Sequence, residues 1–141
     1  MGVGVTVIAC VWLLVLSGYD IAERRLPNWL TLPGALLVLV VAAVAARGLA
    51  ALAGAAALSG LYLAVHLLSP RAMGGGDVKL AIGLGAMTGA FGIDVWLLAA
   101  LAAPLLTAGL ASGAAVRGIR TVPHGPSMCT ATAVAVALAL V

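Results

Sequence analysis

Charge is what this chain has least of. Only 8% of its 141 residues are charged, and no more than four are acidic. Lysine occurs once against six arginines, and the aromatic residues make up 4% of the chain. The two cysteines, Cys10 and Cys129, lie in separate apolar runs and form no CxxC pair. That supports neither a zinc site nor a disulfide framework, so both read as small packing residues. Two isolated histidines, His66 and His124, add no metal cluster, and no metal or other cofactor is expected. A net charge of +3, dispersed along the chain, is too weak for a nucleic-acid surface.

What remains is apolar: 65% of the residues are hydrophobic and the mean hydropathy is +1.26. No soluble domain of this size could hide that much apolar surface, so an all-α polytopic membrane protein is expected. The length allows about six spans of ~20 residues with short loops. One membrane-embedded domain over residues 1–141 is therefore expected. Residues 3–18 lack the basic start and the cleavage site of a secretory signal, which predicts a retained first helix.

Apolar windows fall at residues 3–19, 29–46, 49–69, 78–93, 95–116 and 127–141. If each is a helix, the first, third and fifth loops share one side of the membrane. They carry Arg24, Arg25, Arg71, Lys79, Arg117 and Arg120, six of the seven basic residues, and leave only Arg47 opposite. The positive-inside rule then puts those loops in the cytoplasm and both termini outside. Trp29, Trp96 and Tyr19 fall at predicted interfaces as anchors. His66 reads as an interfacial, hydrogen-bonded histidine.

Two of the scarce acids stand out. Asp20 closes the first window, just before Glu23-Arg24-Arg25-Leu26-Pro27-Asn28. Asp77 opens the fourth, in Gly74-Gly75-Gly76-Asp77-Val78-Lys79. A carboxylate at a membrane boundary is costly and needs a reason. One out-and-back hairpin between them returns both to the same face. Two carboxylates that meet there could share a proton, since like charges in contact cannot both ionise. One ionised Asp would activate a water and its protonated partner would polarise a scissile carbonyl. The sequence does not decide which is base and which is acid. Gly74, Gly75 and Gly76 read either as a bare backbone on which an extended peptide can pair, or as a flexible turn before a capping Asp.

Asp20 with Arg25-Leu26-Pro27-Asn28 and Leu30-Thr31, then Gly74-Gly75-Gly76-Asp77-Val78-Lys79-Leu80, resembles the type IV prepilin peptidases, membrane aspartyl proteases of the GxGD class. Val122-Pro123-His124-Gly125-Pro126-Ser127 is similar to the late PxGP segment of that family, with His124 where an aromatic is common. The resemblance implies catalytic aspartates at Asp20 and Asp77. It also implies removal of the short basic leader of a prepilin or pseudopilin, cut after a glycine on the cytoplasmic side of the bacterial inner membrane. Bifunctional members carry an extra N-terminal region, often with paired CxxC motifs, and also N-methylate the product. This chain looks like the short, peptidase-only form found with Flp/Tad-type pili, so methylation is not expected. Oligomeric state is left open.

Other residues divide between site and scaffold. Lys79 could bias the charge of the pair or meet substrate, or simply snorkel to the interface. Pro27 and Asn28 set the start of the second helix, with Asn28 or Thr31 as its cap. His124 could line the cleft. Glu23 could attract a basic leader or be a plain loop carboxylate, and Arg24 and Arg25 read as topology determinants. The competing function is a small proton- or cation-coupled transporter or channel subunit using the same two acids. Against it, both acids lie at one face rather than at the midplane, and no inverted repeat is visible. An inactive secretion-complex partner and a relative of signal-peptide peptidase are further alternatives.

Overall fold

The computed structural model describes residues 3–141. Six helices follow one another: α1 (Val3–Glu23), α2 (Asn28–Val44), α3 (Gly48–Leu68), α4 (Gly75–Phe91), α5 (Ile93–Val116) and α6 (Gly125–Leu140). No strand occurs among the described residues. Three segments, Gly4–Glu23, Gly48–Leu68 and Ile93–Val116, are long and apolar enough to cross a membrane. Their outward faces carry exposed Leu14, Leu68, Leu105 and Val116. Such a surface is stable against lipid and not against water, as the composition requires of a polytopic membrane protein.

Helix α4 is the centre of the bundle. It is only 17 residues long, yet Leu80, Ala81 and every residue from Gly83 to Gly89 are buried. It packs on α2, α3, α5 and α6, most extensively on α3. The α3–α4 seam is closed by missing side chains. A Cβ added at Gly85 would stand 2.5 Å from the Gly54 carbonyl oxygen, and one at Gly89 would stand 2.7 Å from that of Ala50. In a membrane, helices gain most where small residues let backbones approach. The Trp96 indole N–H, from α5, donates to the same Gly54 carbonyl at 3.0 Å. Trp12 of α1 fills the gap beside Gly34 and Gly83 and donates to the Leu30 carbonyl at 3.0 Å. Trp12 and Trp96 thus each spend their one polar hydrogen inside the bundle.

The turns sort the two ends of the molecule. Gly92 alone joins α4 to α5, with φ 124°, a conformation glycine adopts without strain. Arg47, between α2 and α3, donates to the Ala90 carbonyl at 3.1 Å and lies over the Phe91 ring. The second and fourth loops therefore meet at one end. At the other, the Arg24 guanidinium donates to the Thr121 hydroxyl and, at 3.3 Å, to its carbonyl, tying the first loop to the fifth. An apolar cavity of about 630 Å³ opens between α1 and α2, lined among others by Ile8, Trp12, Leu37 and Met87. Its lining includes neither Asp20 nor Asp77.

Two boundaries differ from the hydropathy windows. Helix α1 runs a full turn beyond Tyr19, to Glu23, so Asp20 is a helical residue and not a loop residue. Helix α4 begins at Gly75, so Gly75 and Gly76 form its first turn and not an extended strand. Only Gly74 is extended, with φ −75° and ψ 148°, and none of the three glycines has a positive φ. Hydropathy misses both extensions because polar residues and glycines continue a helix wherever neighbouring helices supply the packing.

Candidate active site

Asp20 is 7% exposed, deep for a carboxylate. Its partner comes from the opposite end of the sequence. The Gly125 N–H, at the start of α6, donates to Asp20 Oδ2 at 2.9 Å. The free N–H groups and dipole of a helix N-terminus favour negative charge at that place. Glycine is needed at 125 for the approach itself, because a Cβ there would lie 2.5 Å from the same oxygen. Arg24 adds a positive charge within electrostatic reach of Asp20.

Asp77 is the third residue of α4, at that helix's own positive end. The backbone N–H of Gly74, the N-cap, faces its carboxylate, an aspartate version of half a capping box. Asp20 acts electrostatically on Asp77, so α1 and α4 bring the two acids into one site. Cys129 of α6 lies within the field of both acids. It lies one turn beyond Gly125, on the same helix face.

His124 completes the polar cluster. Its Nε2 lies 3.0 Å from the Tyr62 hydroxyl of α3, and its Nδ1 lies 2.5 Å from Thr107 Oγ1 of α5. Burial lowers its pKa below the usual histidine value, which keeps the ring neutral at pH 7. Tyr62 in turn stands within the field of Asp77.

Other residues singled out in the sequence lie beside the acids without joining them. Lys79 Nζ donates to Asn28 Oδ1 at 2.8 Å, a tie between α4 and α2. Two residues of helix turn the side chain by about 200°, which points Lys79 away from Asp77. Pro27 is the N-cap of α2, and its carbonyl accepts from the Thr31 hydroxyl at 3.1 Å, so neither Asn28 nor Thr31 caps that helix by its side chain. A Cβ at Gly76 would stand 3.3 Å from Leu26, which packs the first loop onto α4, whereas Gly75 faces open space. His66 Nδ1–H donates to the Met73 carbonyl at 2.6 Å and anchors the loop before Gly74. No three His, Cys, Asp or Glu side chains gather among the described residues where they could hold a metal ion.

Tyr62, Thr107 and Cys129 were not legible as parts of this cluster. The available signal was a polar group inside an otherwise apolar helix, which needs a partner in the bundle.

The model of the type IV leader peptidase family matches residues 7–112. The match covers most of the chain and includes both aspartates, and the chain belongs to that family. No curated protein matches it. No solved structure matches it either. His124 and Gly125 lie beyond the matched residues.

Proposed function

We propose that this member of the type IV leader peptidase family is an aspartyl endopeptidase. Asp20 and Asp77 share one proton around a catalytic water. The observation that carries the reading is the pairing itself. Two of four acidic residues, from helices far apart in sequence, come to one end of the bundle, where Asp77 stands in the field of Asp20. Each is backed by backbone N–H groups at a helix start.

In this mechanism the ionised member of the pair takes a proton from water as it attacks the scissile carbonyl carbon. The protonated member donates to the carbonyl oxygen as charge develops there. The tetrahedral intermediate collapses when the C–N bond breaks: the leaving amine receives a proton from one member of the pair, and a hydroxyl of the intermediate returns its proton to the other. The pair ends the cycle with the single shared proton it began with.

The substrate is a prepilin or pseudopilin, cut after the glycine that ends its basic leader. The site of this chemistry is the cytoplasmic face of a bacterial inner membrane, a reading supported by the six of seven basic residues at the end that bears the two acids.

The test is co-expression with a candidate prepilin from the same genome, read by gel shift and N-terminal sequencing of the product. Leader removal by the wild type and not by Asp77→Asn or Asp20→Asn supports the reading. Equal processing by wild type and both variants refutes it.

A further inference from the structure

The hydrogens around His124 can be placed by exclusion. Thr107 Oγ1 lies 3.1 Å from the Ala103 carbonyl oxygen, which can only accept. The threonine hydroxyl therefore donates there, and its oxygen accepts from His124 Nδ1–H. That leaves a lone pair on Nε2, to which the Tyr62 hydroxyl donates. The opposite tautomer would strand the Tyr62 proton, because His124 is the only hydrogen-bond partner of that hydroxyl among the described residues and Tyr62 is only 5% exposed.

The imidazole is thus fixed by α3 on one side and α5 on the other. Its own backbone starts α6, where the His124 carbonyl accepts from the Met128 N–H at 3.1 Å. The next amide along is the one that holds Asp20. The chain of contacts begins at Tyr62, in the field of Asp77, and ends at Asp20. We infer that Tyr62–His124–Thr107 is a clamp that fixes the start of α6, so that His124 is a positioning residue for Asp20 acting through the Gly125 amide. This rests on the peptidase reading above. It gives the late segment a role that packing does not: a Phe at 124 would fill the same space and lose both ring hydrogen bonds.

A shift of a catalytic group by an ångström costs about 100-fold in rate, so His124→Phe is expected to lower kcat by about 10- to 100-fold. KM should stay within about two-fold, because uniform substrate binding is untouched. Thr107→Val and Tyr62→Phe should each reproduce part of the loss. His124→Gln, whose amide both donates and accepts, should recover part of it. These assays run beside wild type and Asp77→Asn, with thermal melting of each variant in detergent. A folded His124→Phe with wild-type kcat overturns the clamp. A wild type with no prepilin cleavage tells instead against the peptidase reading.

A second readout does not depend on activity. In ¹⁵N NMR of the full chain in detergent, His124 should show the neutral Nδ1–H tautomer. The Gly125 amide should be hydrogen-bonded and should move in His124→Phe. His66→Asn assigns the other ring. An Nε2–H tautomer, or a Gly125 amide unmoved by His124→Phe, overturns the clamp whatever the activity shows.

Discussion

The α3–α4 seam and the polar end of the bundle hold their parts by opposite means. The seam is built from what is missing: at Gly54, Gly85 and Gly89 backbone meets backbone, and no side chain sets the distance. The polar end is built from directed bonds, Gly125 to Asp20, Tyr62 to His124, His124 to Thr107, Lys79 to Asn28. Close packing sets where a helix lies but tolerates small slips along it. Hydrogen bonds to carboxylates set where particular atoms lie. A site that must hold two like charges together needs the second kind of order, on a frame that supplies the first.

Substitutions can separate the two kinds. The largest effect is expected from Asp20→Asn or Asp77→Asn. Each should lower leader cleavage by about 10³-fold or more while the helical content and the melting temperature hold, since an amide cannot take the proton. Next is Gly125→Ala. Its methyl group would collide with Asp20 Oδ2, and a displacement of that carboxylate should cost about 100-fold in kcat. Circular dichroism should show no comparable loss of structure. Gly85→Val should behave the other way. Overpacking of the seam should cost about 1–3 kcal/mol of stability, read as a lower melting temperature in detergent, with kcat per folded molecule within a few-fold of wild type. If Gly85→Val instead abolished turnover in a fully folded protein, the division between frame and site would fail. Smallest is Lys79→Met, which removes a largely solvent-exposed bond to Asn28 and should change stability by less than about 1 kcal/mol and activity by no more than a few-fold. A large loss of activity there would return Lys79 to the active site.

Much of this arrangement was legible in the residues. Scarce charge in an apolar chain required a membrane protein, and six apolar windows match six helices. The parity of the basic loops put Asp20 and Asp77 at one end, where the structure also has them. The helix extensions through Asp20 and through Gly75-Gly76 were not legible, because local hydropathy and glycine content both argue against helix there while tertiary packing decides for it. The partners of His124 were hidden for a different reason. Tyr62, Thr107 and His124 lie on three separate elements, and nothing in their spacing marks them as neighbours. Gly125 was visible as part of a motif, but its necessity appears only when a Cβ is placed against Asp20.

The claim at the centre is that Asp20 and Asp77 act as one unit. The direct measurement is the rate of leader cleavage by purified wild type, Asp20→Asn, Asp77→Asn and the double variant on one prepilin substrate. Residues that act together are strongly non-additive, so the double variant should be no slower than the worse single variant. Losses that multiply, or a single variant cleaving at the wild-type rate, would contradict a shared-proton pair.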